Sequence, residues 1–372
     1  VEGTSDRALE SAGAAGGRGA MTGALAGGAD RYARQVRFAP FGPEGQERLS
    51  ASTAAIVGVG ALGCVSANHL ARAGIGRLIL IDRDVVEPTN LQRQLLYDEA
   101  DAAEGTPKAV AAARRLSAIN GGVGYRPYAV DLNAGNVETL LADADLVVDG
   151  TDSFGVRYLL NEWSAKHGKP WIYGAAVGAS GMTMTIRPGA GGPCLRCIFP
   201  QPPRGGALDT CETAGVVGPI VDLVASVQSM EAIKLLGGRE DALHGALLQT
   251  DLWHTGWQQL GIAGARRANC PVCGAERRFE WLDGDAAEPL TASLCGRQTV
   301  QVSPAASDAE LNLPRLAARW APLGQVELYD YLLRLRRDDG IAFALFPDGR
   351  ALVSGTDDPL RARRLYAELL GV

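Results

Sequence analysis

The sequence predicts an α/β fold, a doubly wound and mainly parallel sheet followed by a small C-terminal α+β module. Three observations lead there. Residues 51–83 read as strand, glycine-rich turn, helix and strand, the βαβ unit that builds parallel sheets with helices on both faces. Strand-like and helix-like segments then keep alternating as far as the long apolar stretch that ends at residue 236. After residue 290 the pattern changes to short strands around Asp-Gly turns. Apolar residues make up 47% of the 372, enough to bury a sizeable core and to exclude global disorder.

Thr53–Val57 is a short β-prone apolar run, and Gly58-Val59-Gly60-Ala61-Leu62-Gly63 follows it. A helix is expected from Val65 to Ala73, stopped by Gly74-Ile75-Gly76, and Leu78–Ile81 makes the next buried strand. Pro107–Ile119 is alanine-rich and helical, Gly124–Val130 a strand, Val137–Leu141 a helix and Leu146–Val148 a buried strand. Phe154–His167 reads as a helix, Trp171–Gly174 as a strand, and residues 181–187 alternate as a strand should. Val221–Leu236 is a long apolar helix stopped at Gly237-Gly238. Residues 283–289 are acidic and contain breakers, as a linker does. In the final module Thr299–Val302 reads as a strand, Leu313–Trp320 as a helix, 326–354 as strands and Leu360–Leu370 as a closing helix.

The net charge of −6 gives no electrostatic footprint for nucleic acid and no pull toward an anionic membrane. No apolar run reaches the roughly 18–20 residues of a membrane span. Residues 1–29 are rich in Gly and Ala, with acidic residues interspersed, and lack the pattern of a signal peptide. They read as a disordered extension, with Met21 an alternative start, and the expected compartment is the cytoplasm. The rest divides into a larger domain over 30–282 and the small module over 287–372.

Gly58, Gly60 and Gly63 form G-x-G-x-x-G between a strand and a helix, in a Rossmann-like unit. Glycines there permit a tight turn and close approach to phosphate, and the helix N-terminus favours an anion. Asp82 ends the second strand 19 residues beyond Gly63, where a carboxylate can hold ribose hydroxyls. Alone, this pattern belongs most often to NAD- or FAD-dependent oxidoreductases. Residues 82–94, DRDVVEPTNLQRQ, change the reading. Hydride transfer does not need this density of Asp, Asn, Arg and Gln at the sheet edge, whereas a triphosphate with Mg²⁺ does. Lys108 opens a helix as a point charge suited to phosphate. Asp149-Gly150-Thr151-Asp152 follows a buried strand, where carboxylates are expected to face the ligand crevice.

Several stretches carry a specific likeness: RYARQVRF (31–38), VGVGALG (57–63), DRDVVEPTNLQRQ (82–94), GTPK (105–108), DGTDSFGVRYLLN (149–161), PCLRC (193–197), TCETAGVVGP (210–219), SVQSMEAIKLL (226–236) and CPVCG (270–274). Together the chain resembles the ThiF/MoeB/ubiquitin-activating family of ATP-dependent adenylyltransferases, over about residues 31–274. The resemblance implies ATP-dependent adenylation of the C-terminal Gly carboxylate of a ubiquitin-like sulfur carrier ending in Gly-Gly, for thiamin, molybdopterin or a related pathway. A peptide natural-product precursor as the substrate, and a non-catalytic scaffold, are the alternatives. It implies that Asp82 binds the ribose, that Asn90, Arg93, Gln94 and Lys108 contact phosphates, and that Asp152 holds Mg²⁺. Asp84 is as readily structural as catalytic. Arg34 resembles the residue that such enzymes insert into the partner subunit's ATP site, which implies a homodimer. Ala61 departs from the family's usual third glycine, tolerable if its φ is negative. Ser153 replaces a usual asparagine and leaves one supporting hydrogen bond open.

Seven cysteines, an odd number, point to metal and thiol chemistry rather than disulfide staples. Cys194-x-x-Cys197 and Cys270-x-x-Cys273 can offer four sulfurs to a structural Zn²⁺ site, with a redox dithiol as the alternative. Cys211 lies in the Gly/Pro-rich loop of 200–218, and the resemblance implies either a covalent bond to the activated carrier or sulfur transfer, unless the residue has no catalytic duty. Cys64 reads as a small buried hydrophobe. Cys295 reads as a core residue of the module or a sulfur relay. The four histidines show no metal or triad spacing. The C-terminal module lacks the cysteine loop of a rhodanese domain and is expected to serve docking or dimerisation.

Overall fold

The computed structural model of the protein describes residues 31–202, 214–284, 291–293, 299–302 and 311–370. The expected extension over 1–29, with Met21, and the cysteines Cys211 and Cys295 lie outside the described residues.

Strands β1 (Thr53–Val57), β2 (Arg77–Ile81), β3 (Gly124–Tyr128), β4 (Leu146–Asp149), β5 (Trp171–Val177), β6 (Ser180–Ile186), β7 (Ala246–Asp251) and β8 (Gly256–Gly261) form one sheet in the order β3-β2-β1-β4-β5-β6-β7-β8. The run from β3 to β5 is parallel, and β6, β7 and β8 continue it antiparallel. The central parallel strands β1, β2 and β4 are buried on both faces, and their alternation shows how. Ala54, Ile56, Leu78, Leu80, Leu146 and Val148 enter one core, while Ala55, Val57, Ile79, Ile81 and Val147 enter another. A side chain repeat of two sends neighbours to opposite faces, so continuous apolar strands need a helical layer on each side.

Helices α1 (Gly42–Ala51), α2 (Ala61–Ala73), α3 (Lys108–Ile119), α4 (Phe154–His167) and α5 (Gly218–Leu236) supply those layers. Helix α4 matches its sequence bounds. Helix α2 starts at Ala61, ahead of the expected Val65, because Gly60 serves as N-cap and the glycine turn runs straight into the helix. Gly74 ends it with a left-handed φ of 81°. Helix α1 and the β7–β8 hairpin have no counterpart in the sequence reading. Helix α1 opens on Gly-Pro, which reads as a breaker but suits a first turn. Strand β8 is almost wholly exposed at the sheet edge and carries no apolar alternation.

The C-terminal residues build a second sheet, antiparallel throughout, from β9 (Thr291–Ser293), β10 (Thr299–Val302), β11 (Gln325–Tyr329), β12 (Leu332–Arg336), β13 (Ala342–Leu345) and β14 (Ala351–Ser354), in the order β11-β12-β13-β14-β10-β9. Helices α6 (Leu313–Trp320) and α7 (Pro359–Leu370) cover one face, burying Trp320 and Leu369 with Leu333, Leu335 and Phe343. The opposite face, with Leu332, Phe346 and Leu352, packs against Val85 and Ala129 of the first sheet's loops. The α+β reading of this module therefore holds. No helix among the described residues is long and apolar enough to cross a membrane.

Candidate active site

The chain turns out of β1 at Gly58, whose φ is 82°. A Cβ on Gly63 would stand 1.9 Å from Gly58 O, and one on Gly150 would stand 2.2 Å from the same oxygen. The loops after β1 and β4 thus meet backbone to backbone, which glycine alone permits. Gly60 caps α2 without a side-chain acceptor, so the first N–H groups of the helix face an anion site. Thr255 is the one non-glycine residue with positive φ among the described residues, so the methyl group of Ala61 is tolerated.

Asp82, at the end of β2, is buried and ties two loops together. Its Oδ2 accepts from Val59 N at 2.7 Å and its Oδ1 from Asp84 N at 2.8 Å. Burial pushes this carboxyl up, and Lys108 opposes the shift. An ionised carboxylate has about four acceptor positions, so ribose hydroxyls can share these oxygens. Lys108 opens α3, is 4% exposed, and places Nζ 3.0 Å from Asp84 Oδ2. Asp84 is therefore the partner that holds Lys108, and Asp84 O also accepts from Lys108 N. Tyr97, which sequence reasoning missed, places its hydroxyl 2.6 Å from Val59 O and 3.2 Å from Lys108 O, bridging the glycine loop to α3. Cys64 donates its thiol to Val59 O and is pushed up to about 12 by burial, an unreactive packing residue as its sequence position implied.

Asn90 and Gln94 are buried beside this loop. Asn90 Oδ1 accepts from Glu87 N, while Asn90 Nδ2 and Gln94 Oε1 have no hydrogen-bond partner among the described residues. Gln94 Nε2 would lie 3.9 Å from a Cβ on Gly60. Orphaned buried amide groups cost stability unless a ligand completes them. Arg93 donates to Thr89 O and has no carboxylate partner among the described residues.

The loop after β4 corrects one expectation. Asp152 is exposed, but Asp149 is wholly buried and does not face the crevice. It accepts from Arg157 Nε at 2.9 Å and from Thr151 N and Oγ1 at 2.9 and 2.8 Å. Arg157 also donates to Thr151 O and Gly174 O at 2.6 and 2.8 Å, with its guanidinium over the Tyr173 ring. Gln228 of α5 donates to Asp149 O and Ile172 O. Arg157 and Gln228 sit inside motifs legible in the sequence, but nothing there distinguishes a buried brace from an exposed ligand. Burial would lower the Arg83 guanidinium, yet Asp131, Asp84 and Asp152 together raise it, so Asp152 stands in the same field as the Asp82 loop. Ser153 Oγ caps α4 by accepting from Val156 N.

Arg34 is not brought to this site. Its short helix, Ala33–Val36, is fixed at the far end of α2, where Gln35 Nε2 donates to Ala73 O and a Cβ on Gly74 would meet the Tyr32 ring. Helix α2 spans 13 residues, which at 1.5 Å each separates the two ends by roughly 20 Å.

The second cluster comprises Cys194, Cys197, Cys270 and Cys273, whose Sγ atoms all lie within 4.8 Å of one another. Cys194 stands 3.6 Å from Cys270, and Cys197 3.4 Å from Cys273. A tetrahedron of sulfurs about 2.3 Å from Zn²⁺ has edges of about 3.8 Å, so the set fits this ion. The close contacts cross between the two C-x-x-C pairs, and the sulfurs are not bonded, which argues against a redox dithiol within either pair. Burial works against ionising Cys270, but the N–H groups of Cys273 and Val272 lower it to about 7. Burial and the three neighbouring sulfurs raise Cys194, so a full set of thiolates calls for a cation.

Glu162 of α4 anchors the segment after this cluster, accepting from Trp281 N and Leu282 N. Burial pushes its carboxyl up to about 7 against those bonds. The folded value lies above the unfolded one of about 4.3, so its contribution to stability is full below that pH and is lost as pH rises through about 7. Denaturant titrations from pH 5 to pH 8 are expected to show the wild type losing ground to Glu162→Gln as pH rises. A difference that does not change with pH would refute this.

Fold and site together define a Rossmann-like α/β protein, with a glycine loop and its polar partners at the carboxyl edge of the parallel strands and a separate four-thiol cluster that could hold a metal ion. Within that class the chain belongs to the ThiF family, whose sequence model matches residues 32–272. It is 42% identical over 342 residues, 92% of this chain and 99% of the relative, to a sulfur carrier protein ThiS adenylyltransferase of Bacillus subtilis (strain 168). It is 39% identical over 265 residues, 71% of this chain and 96% of the relative, to a SAMP-activating enzyme E1 of Haloferax volcanii. Among solved structures, E. coli MccB with ATP superposes with a TM-score of 0.57 at 24% identity, over 65% of this chain and 74% of that one, a likeness of fold.

Proposed function

We propose that this chain is an adenylyltransferase that uses ATP to activate the C-terminal glycine carboxylate of a ubiquitin-like sulfur carrier. The observation that carries the reading is the pair of buried amide groups without a hydrogen-bond partner among the described residues, Asn90 Nδ2 and Gln94 Oε1, beside the Asp82–Lys108 loops and a helix N-terminus that no side chain caps. The near full-length likeness to a ThiS adenylyltransferase names the substrate class.

In this reading Asp82 takes the ribose, the N-terminus of α2 and Arg93 take phosphate oxygens, and Asn90 and Gln94 complete their hydrogen bonds on the triphosphate. Lys108 exchanges part of its pairing with Asp84 for a phosphate. A carrier carboxylate oxygen attacks the α-phosphorus, the bond to the β-phosphate oxygen breaks, and pyrophosphate leaves. No general base is required, because the carboxylate is ionised near neutral pH. Asp152, an exposed carboxylate on the same edge, suits Mg²⁺, which when bound would offset charge on the phosphates. The protein's work is positioning and charge compensation.

Arg34 lies too far from its own crevice along α2 and is assigned to the crevice of a second copy, so the working unit is a homodimer. The adenylation domain is assigned to 30–282 and the module to 287–372. The cytoplasm is the compartment assigned, a reading that an ATP-dependent activity on a small carrier supports.

Cys211 is assigned the next step, in which its thiolate attacks the carrier's acyl carbon, AMP leaves, and a thioester remains. The expected result for Cys211→Ser is unchanged pyrophosphate release with loss of the hydroxylamine-sensitive carrier–enzyme species on non-reducing gels. Persistence of that species would remove Cys211 from the mechanism. Intact-mass spectrometry of the carrier tests the proposed function, with an AMP-linked carrier expected. No modification of any Gly-Gly carrier, with modification of a peptide precursor, would reassign the substrate.

A further inference from the structure

We propose that the C-terminal module is a working part of the nucleotide site, with Arg350 and Arg334 as positioning residues for the loops that hold ATP. The proposal rests on the reading that the crevice binds ATP.

Arg350 is 2% exposed and lies in the turn between β13 and β14, yet its guanidinium reaches the loops of the first sheet. Nη1 donates to Arg83 O at 2.6 Å and Nη2 to Ala129 O at 3.1 Å, joining the carboxyl ends of β2 and β3. Arg83 stands between Asp82 and Asp84, so this bond fixes the backbone from which both carboxylates project. The Phe346 ring, 3.8 Å from the guanidinium carbon, holds its plane.

Arg334 acts on the other wall. It donates from Nη1 to Glu104 O and from Nη2 to Gly105 O, the latter at 2.9 Å. These are orphan carbonyls at the end of the helix Glu99–Glu104, where a cation is also favoured by the helix dipole. Gly105 leads within three residues to Lys108. The two walls are themselves joined, because Val86 N donates to Thr106 O and Lys108 N to Asp84 O. Two arginines of the module therefore clamp both segments that present Asp82, Asp84 and Lys108.

Packing alone does not hold this seam. A cavity of about 310 Å³ runs along it between Glu87, Pro88, Gly105, Arg336 and Phe343. Interdigitated side chains would leave no such space, so the directional bonds of the two guanidinium forks set the register between module and loops. Nothing in the ATP chemistry itself requires either arginine to touch substrate.

The test measures ATP affinity by calorimetry and the kinetic constants of the full chain, in wild type, Arg334→Ala and Arg334→Lys. Arg334→Ala is expected to weaken ATP binding on the order of ten-fold, with kcat at saturating ATP and KM for the carrier within about two-fold of wild type. Arg334→Lys, which can reach one carbonyl, is expected to recover part of the loss. A wild type that binds no ATP would bring down the reading of the crevice and the proposal with it. A wild type that binds ATP, with a folded Arg334→Ala that binds it equally well, would overturn the proposal alone. Arg350→Lys keeps the charge and loses the fork, and supplies a second measurement by hydrogen exchange. Faster exchange confined to residues 83–86 is expected, and unchanged exchange there would overturn the proposal.

Discussion

Removing the metal from the four-cysteine cluster, or replacing Cys270 by Ser, is expected to cost at least about 4 kcal/mol, a fall in Tm on the order of 10 °C. Apparent zinc binding is worth about 10–16 kcal/mol in small finger peptides, where it supplies the whole fold. Here part of that figure is replaced by a core that exists without the ion. The cluster nevertheless joins segments far apart in the chain, 193–198 and 266–274. Around it Leu195 N donates to Asn161 Oδ1, Arg267 N to Cys197 Sγ, and Arg266 to Cys273 O. Without a cation, burial and the neighbouring sulfurs favour the protonated form of Cys194, and the bond from Arg267 N to Cys197 Sγ loses an acceptor held in place by the ion. Metal analysis is expected to give one zinc per chain, lost in Cys270→Ser along with the stability. A metal-free protein that melts with the wild type would show that the sulfurs meet for another reason.

Replacing Arg157 by Ala is expected to cost about 3–5 kcal/mol and to cut ATP-dependent activity together with stability. Asp149 is wholly buried, and its partner would be gone. Thr151 O and Gly174 O would lose their donor at the same time. The Gly150–Thr151 turn packs against Gly58 and carries Asp152, so the defect reaches the anion loop and the proposed Mg²⁺ ligand together. Arg157→Lys keeps a charge but not the planar fork and is expected to recover only part of the stability. Chemical denaturation of the variants gives the stability directly. An Arg157→Ala protein within about 1 kcal/mol of wild type would contradict the role of this brace, since a surface ion pair contributes no more than that.

Most of the fold was legible because its strongest signals are local. The apolar strands β1, β2 and β4, the glycine turn and the helix Phe154–His167 each combine periodicity with a stop or a cap. Strand β8 was missed because an exposed edge strand has no buried face to impose alternation. The site followed the same division. Asp82, Lys108 and the cysteine pairs stand in spacings that carry chemistry. Asp149 and Arg157 carry the same residue types, but their burial and mutual pairing arise from tertiary packing alone. Arg350 and Arg334 were out of reach for the same reason, since each acts more than 200 residues along the chain from its carbonyls.

ATP–pyrophosphate exchange tests the central claim most directly. Purified enzyme with Mg²⁺ and labelled pyrophosphate is assayed with Gly-Gly carriers one at a time, with a carrier lacking the terminal Gly-Gly, and with Asp152→Ala. Exchange that requires the intact tail and falls by about a hundred-fold or more in Asp152→Ala is expected. Exchange that proceeds without any carrier tail, or an Asp152→Ala enzyme as active as the wild type, would contradict the account.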